Sequence, residues 1–66
     1  MKNRLRELRN QFNITQEQLA DKVAVSRQTI ISIENGKYNP SLILAYKIAK
    51  VFSCSIEEVF DFSEVE

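Results

Sequence analysis

Apolar residues recur every three or four positions along most of the chain, which is the pattern of amphipathic helices. The stripe of Leu5, Leu8 and Phe12 predicts a first helix near residues 2–12. A second stripe predicts a fourth helix near residues 41–52, and its predicted inward residues are Leu42, Ala45, Ile48, Ala49 and Phe52.

Capping residues mark the ends of the shorter helices. Segments 15–18 and 55–58 are capping boxes that open a second and a fifth helix. Ser26 is a good N-cap for a third helix, and Gly36 stops it. The sequence therefore predicts an all-α fold, a compact five-helix bundle. The alternating tail, residues 61–66, fits either a short C-terminal strand or a frayed end.

The joint between the second and third helices is only three residues long, Ala24, Val25 and Ser26. So short a joint holds two helices at a fixed, steep angle, which is helix-turn-helix geometry. With Gln16 as the first position, a small residue, Ala20, falls at the fifth, where the helices must approach closely. Apolar residues occupy the eighth, tenth, fifteenth and eighteenth positions, namely Val23, Val25, Ile30 and Ile33. The pattern predicts a helix-turn-helix over residues 16–35.

Composition narrows the possible functions. Sixty-six residues predict a single domain, 1–66, and one cysteine with no histidine argues against zinc sites and the usual nucleophile–base pairs of enzymes. We therefore expect no enzymatic activity and no cofactor. No apolar run is long enough to span a membrane, no secretion signal is visible, and a lone cysteine suits a reducing compartment, so a cytoplasmic protein without a membrane partner is expected.

Charge is unevenly distributed although the formal net charge is zero. Residues 1–50 hold all nine Lys and Arg and four acids, a net of +5, whereas residues 51–66 hold five acids and no base, a net of −5. This asymmetry fits a basic face that meets a polyanion. It also fits two solvated surfaces of opposite sign, and charge alone does not separate the two interpretations.

Three sequence blocks, TQEQLA at 15–20, VSRQTI at 25–30 and IENGKYNPS at 33–41, resemble the Cro/C1-type helix-turn-helix family. The resemblance covers residues 4–60. It implies a five-helix domain that binds double-stranded DNA as a symmetric homodimer and regulates transcription. Ala24 departs from the pattern, because many members have glycine there. If that position needs a positive φ, alanine costs about 1 kcal/mol.

By matching position, the resemblance implies that one end of the third helix reads base edges. The residues implied are Arg27, Gln28, Thr29 and Ser32. Their chemistry agrees, because glutamine pairs with adenine and arginine with guanine in the major groove. A phosphate contact is an equally good interpretation of Arg27, and an exposed Ile31 is a weaker candidate for DNA contact.

A second set is expected to bind the DNA backbone: Gln16, Arg9, Asn35, Lys37, Tyr38 and Asn39. Solvated surface is the alternative for Lys37 and Tyr38. The resemblance also implies an ion pair between Arg9 and Glu34 that ties two helices together and turns Arg9 toward the backbone. Two exposed, unpaired charges are the alternative.

A homodimer interface is expected in the region of residues 44–66, where apolar residues exceed the needs of a small core. The candidates are Leu44, Val51, Phe60, Phe62 and Val65. The alternative is that Phe60 and Phe62 simply close the core of the single chain.

The function predicted from these features is a repressor that binds a palindromic operator as a homodimer. An antitoxin or another protein-interaction module, and a restriction–modification controller, would look similar in sequence. A structural bundle without a role on DNA is less consistent with the polar third helix. We expect no separate ligand-binding or oligomerisation domain and no small-molecule ligand.

Overall fold

The computed structural model describes residues 1–65 and contains five helices in that range. They are α1 Leu5–Gln11, α2 Gln16–Lys22, α3 Arg27–Glu34, α4 Leu42–Val51 and α5 Ile56–Val59. The prediction of an all-α five-helix bundle is confirmed. Within the described residues no helix is long and apolar enough to cross a membrane.

Side chains cap the helices as the sequence predicts. In α2, the Thr15 hydroxyl accepts from the Gln18 backbone N–H at 3.0 Å, and the Gln18 side chain accepts from the Thr15 N–H at 2.9 Å. The same reciprocal pair opens α5 at Ser55 and Glu58. The Ser26 hydroxyl caps α3 by accepting a hydrogen bond from the backbone N–H of Thr29, the third residue of the helix. Each cap satisfies donors that a helix start leaves unpaired.

The first helix begins three residues later than predicted, because residues 2–4 pair with the region after α5. Asn3 forms an antiparallel bridge with Phe60, and the Arg4 N–H donates to the Val59 carbonyl at 2.8 Å. The Asn3 side chain accepts from the Leu5 N–H at 3.1 Å and donates to the Ile33 carbonyl of α3 at 2.9 Å. One asparagine thus connects the start of α1, the end of α3 and the tail.

The predicted tail forms no strand between residues 61 and 65. Phe60 makes the isolated bridge with Asn3, and residues 63–65 form a turn. Glu66, the last residue of the predicted tail, lies outside the described residues.

The core lies between the inner faces of all five helices, and Leu5, Leu19, Ile30, Ile33 and Ile48 are among its fully buried members. Two predicted inward positions are wrong. Phe12 is half exposed, although its ring meets the Phe52 ring edge-on at 5.2 Å. Leu42 is 77% exposed because α4 turns residues 44, 45, 48 and 49 inward, and its first residue extends past the core.

Candidate nucleic-acid interface

The turn between α2 and α3 is built around a left-handed residue. Ala24 has φ 59°, and the Val25 N–H donates to the Ala20 carbonyl at 3.0 Å, which folds the chain back on α2. Ala20 is buried where the two helices meet. The positive φ expected at Ala24 is therefore present, and alanine adopts there a conformation that suits glycine better.

One face of α3 is anchored and the other is open. Ile30 and Ile33 are fully buried, while Arg27 and Gln28 stand in solvent at the start of the helix. The Thr29 hydroxyl lies 3.0 Å from that of Ser26, so it is partly committed to the cap. Thr29, Ser32 and Ile31 are half-buried on the flanks of the exposed face. The predicted base-reading residues therefore lie together on the outer part of α3.

Arg27 turns back toward α2. Its Nη2 donates to Gln16 Oε1 at 3.4 Å. The two side chains border an open cleft of about 570 Å³ that is also lined by Arg9, Thr15 and Glu17. Arg27 thus faces the same cleft as Gln16, which is predicted to bind a phosphate. This side-chain conformation suits a contact of Arg27 with a phosphate better than a contact with a base.

A buried carboxylate lies behind this cleft. The Glu34 side chain is 0% exposed, and it accepts from Arg9 Nε at 2.6 Å and from Gln16 Nε2 at 3.0 Å. Burial raises the pKa of Glu34, but the hydrogen bonds from Arg9 and Gln16, with the charges of Arg9 and Arg6, outweigh it and hold the pKa below its ordinary value. Glu34 is therefore ionised and paired near neutral pH.

Arg9 is a structural residue in this arrangement. Its side chain is 11% exposed, its Nε and Nη2 donate to Glu34, and its Nη1 donates to the Ile14 carbonyl at 3.0 Å. The two residues that the resemblance paired are in contact. Three of the five guanidinium N–H groups therefore have partners inside the protein, while Arg9 also borders the open cleft beside Gln16, so the expected phosphate contact of Arg9 stays a prediction.

The segment after α3 carries the second set of predicted backbone contacts. The N–H groups of Lys37 and Tyr38 donate to the Ser32 carbonyl at 3.0 and 3.3 Å, which folds the segment against the end of α3. The side chains predicted there are all exposed: Asn35, Lys37, Tyr38 and Asn39. The structure therefore brings these four together at one end of α3 and places Gln16 and Arg27 near the other.

Sequence reasoning missed two features of this surface. One is the link from Gln16 to Glu34, which no local pattern encodes. The other is Arg6 of α1, whose Nη2 lies 3.4 Å from Asn35 Oδ1 and whose Nε lies 3.5 Å from Glu34 Oε1. Its position three residues before Arg9, on the same face of α1, is the signal that was available.

The predicted dimer residues separate into two groups. Leu44 and Phe60 are 9% and 2% exposed, so they pack in the core of the single chain, which is the alternative left open for Phe60, and they offer little free surface to a second copy. They are buried because α4 presents Leu44 inward and the bridge to Asn3 draws Phe60 over the core. Val51 and Phe62 are half-buried, and Val65 is exposed.

An apolar groove remains near the tail. It has a volume of about 230 Å³ and is lined chiefly by Pro40, Leu42, Ile56 and Phe62, with Met1, Asn39, Ala45 and Phe60 completing its walls. Beside it on α4, Ile43 and Tyr46 are also largely exposed. This patch is contiguous along one side of α4.

Comparison with known proteins identifies the class. A helix-turn-helix family model matches residues 5–59. The chain is 58% identical over 66 residues to an uncharacterised HTH-type transcriptional regulator of Archaeoglobus fulgidus, covering all of this chain and 93% of that one. It is also 58% identical to one of Methanocaldococcus jannaschii, covering 100% of both. The chain belongs to the Cro/C1-type helix-turn-helix family.

A solved structure agrees with this family. The restriction–modification controller protein C.AhdI from Aeromonas hydrophila superposes with a TM-score of 0.79 at 35% identity, over 86% of each chain. The protein is therefore a DNA-binding transcriptional regulator and not an enzyme.

Proposed function

We propose that the protein is a repressor that binds a palindromic operator as a homodimer, with α3 of each copy in a major groove. The observation that carries the proposal is the two-sided character of α3. Ile30 and Ile33 fix one face in the core, and Arg27 and Gln28 are exposed to solvent at the end of the helix that would enter the groove. Gln28 carries the donor and acceptor pair that matches adenine in the major groove.

Backbone contacts hold the helix in register in this proposal. Gln16 and Arg27 bind phosphates on one side of the groove, and residues 35–39 bind them on the other. Such contacts fix the position of a reading helix without carrying sequence information themselves. Base contacts from Gln28, with Thr29 and Ser32 beside it, supply the specificity.

Two copies are required because one helix of eight residues reaches few base pairs. In a symmetric dimer the two α3 helices would lie about 34 Å apart, one turn of DNA. We propose that the dimer contact lies at the tail groove, defined by Pro40, Leu42, Ile56 and Phe62, which combines part of the region 44–66 with the residues that lead into α4. Val65 and Val51 remain candidates at its edge.

The proposed contact also explains the charge split. It lies beside α5 and the tail, where Glu57, Glu58 and Asp61 are exposed next to Lys2 and Arg4, and in the proposed dimer these acids are held away from the DNA. We propose a single domain, 1–66, in which residues 16–35 bind DNA and the later residues associate. Occupying an operator within a promoter would exclude polymerase.

A binding selection on random duplexes tests the proposal. We expect enrichment of an inverted repeat whose half-sites are about 10 base pairs apart from centre to centre. Affinity for the selected site should fall steeply as salt rises, because phosphate contacts release counterions. No enrichment, or equal competition by a scrambled duplex, would contradict sequence-specific binding.

Transcription in vitro separates repression from activation. The selected site is placed across a promoter and, in a second template, upstream of it. A repressor lowers transcript yield on the first template and has no effect on the second, whereas higher yield on the second would contradict repression.

A restriction–modification controller is the second candidate function. Its support is the 35% identity and the shared fold with C.AhdI over 86% of both chains. The two candidates share the DNA-binding surface and differ in the genes beside the operator. Mapping bound sites across the source genome distinguishes them, because a controller would occupy sites beside a methyltransferase and a nuclease gene.

A further inference from the structure

We propose that Arg6 of α1 binds the DNA backbone, so that the first helix is part of the DNA-binding face. The inference rests on the proposed function, since it extends the row of backbone contacts around α3. It adds an exposed arginine to the expectation placed on Arg9, which already uses three guanidinium N–H groups inside the protein.

The first step is the charge count around Glu34. The carboxylate carries one negative charge, and Arg9 lies against it at 2.6 Å in a buried pair. Arg6 adds a second positive charge at 3.5 Å. One charge neutralises the carboxylate, so the charge of Arg6 is in excess at this place and available to an anion.

The second step is the exposure of Arg6 and the looseness of its contacts. Its side chain is 63% exposed, and its contacts to Asn35 and Glu34 are long, 3.4 and 3.5 Å. An arginine held so weakly keeps most of its five donors free. A phosphate takes two of these in a bidentate pair, which is stronger than either present contact.

The third step is its location. Arg6 touches Asn35, the residue that ends α3 and begins the segment with Lys37, Tyr38 and Asn39. The exposed hydrogen-bond donors of this segment and those of Arg6 on α1 therefore form one continuous row. The last turn of α3 contains no basic residue of its own, and Arg6 supplies a cation beside it.

A competing role for Arg6 is stabilisation of the end of α3, because a cation is favourable at a helix C-terminus. That role predicts an effect on unfolding and none on the salt dependence of binding. Arg6→Gln removes the charge and keeps a donor for Asn35, and Arg6→Lys keeps the charge. Arg4→Gln is the matched control, since Arg4 is exposed, precedes the same helix and contacts Glu7 and the Glu58 carbonyl, not α3.

The experiment measures affinity for the selected duplex and a scrambled one between about 50 and 300 mM salt, a roughly sixfold range. Since each bound dimer carries two copies of Arg6, Arg6→Gln should weaken binding to both duplexes about five- to tenfold per copy near 0.1 M salt and reduce the slope of log affinity against log salt by about 1.8, which is about 0.9 for each copy. Arg6→Lys should restore the wild-type slope, and Arg4→Gln should leave it unchanged. Thermal unfolding of each variant gives the fraction of protein that is folded at the temperature of the binding measurement, and the affinities are corrected for it.

The outcomes are distinguishable. A wild-type slope in Arg6→Gln, or an equal loss of slope in Arg4→Gln, overturns the role of Arg6 and leaves the proposed function intact. A wild-type protein with no preference for the selected duplex overturns sequence-specific regulation, while a slope still lowered in Arg6→Gln on both duplexes supports the backbone contact. Absence of any binding to duplex DNA overturns both.

Discussion

Gln16 donates from its side-chain Nε2 to the buried carboxylate of Glu34 at 3.0 Å, so the first residue of α2 is attached to the last residue of α3. The contact also sets the amide orientation, with Oε1 turned to Arg27. Gln16, which is predicted to bind a phosphate, is thus positioned by the buried carboxylate of Glu34. Loss of Glu34 would disturb both the fold and the DNA-binding face.

The ion pair between Arg9 and Glu34 makes a strong prediction about stability. Arg9→Ala leaves a buried carboxylate without its main partner and should lower the free energy of unfolding by about 3–5 kcal/mol. Arg4→Ala removes an exposed, solvent-screened pair with Glu7 and should change the free energy of unfolding far less. Urea unfolding followed by circular dichroism measures both, and equal losses in the two variants would contradict a structural role for Arg9.

Acid should weaken the fold through the same carboxylate. The pKa of Glu34 is held below its unfolded value, so its contribution is present above about pH 4.5 and is lost as pH falls through the folded pKa. Hydrogen bonds from Ser55 and Ser63 lower the pKa of Glu58 and Asp61 as well, so these two add to the loss in the same direction.

Glu34→Gln isolates the part due to Glu34. A protonated carboxyl resembles an amide, so the wild type should exceed the variant in stability at pH 7, and the gap should narrow as the pH falls below about 4.5. Unfolding curves across that range measure the gap. A constant gap would show that Glu34 does not titrate with folding.

Ala24 offers a stabilising substitution. With φ at 59°, alanine is strained, and Ala24→Gly should raise the free energy of unfolding by about 1 kcal/mol. Ala20→Gly is the opposite control, because the same change inside α2 loses packing and backbone order and should cost at least about 0.5–1 kcal/mol. A lower melting temperature for Ala24→Gly would count against strain at this turn.

Base reading and backbone binding should separate at Gln28 and Lys37. Gln28→Ala should lower discrimination at one or two base positions by about 1–3 kcal/mol. Lys37→Ala should weaken all duplexes by a similar factor. Competition by single-base variants of the selected site is the measurement, and a uniform loss from Gln28→Ala would remove that residue from the reading set.

The tail groove makes a prediction about association. Leu42→Glu places a charge at an exposed apolar position and should shift the dimer to monomer at micromolar concentration, with little effect on monomer stability. Gln11→Glu adds the same charge on an exposed residue of α1, outside the groove, and should leave the dimer intact. Sedimentation velocity distinguishes them, and a wild type that remains a monomer would refute the proposed interface.

Local patterns were enough to predict most of the architecture. Both capping boxes and the cap at Ser26 depend on residues a few positions apart, and each has the predicted geometry, whereas the left-handed conformation at Ala24 was considered only through the family resemblance. The pairing of Arg9 with Glu34, 25 residues apart, came from the family resemblance and not from local spacing.

The features that the sequence did not predict, the start of α1 and the inward face of α4, depend on long-range contacts. Residues 2–4 continue no helix because Asn3 and Arg4 bond to the region of Val59 and Phe60. Leu44 lies in the core and Leu42 outside it because the packing of α4, rather than its apolar stripe, sets the inward face. The role proposed for Arg6 emerges only when α1 is placed beside the end of α3.

Asn3 joins the N-terminal segment both to the end of α3 and to the segment after α5. Because the Asn3 amide joins the end of α3 to a segment that also pairs with Phe60, we expect these regions to unfold as a single cooperative unit. Their amide protons should exchange with solvent together and not in sequence order. Local unfolding of the C-terminal segment would then also loosen the end of α3. In the proposed function, the order of that segment would therefore affect how the protein finds its operator.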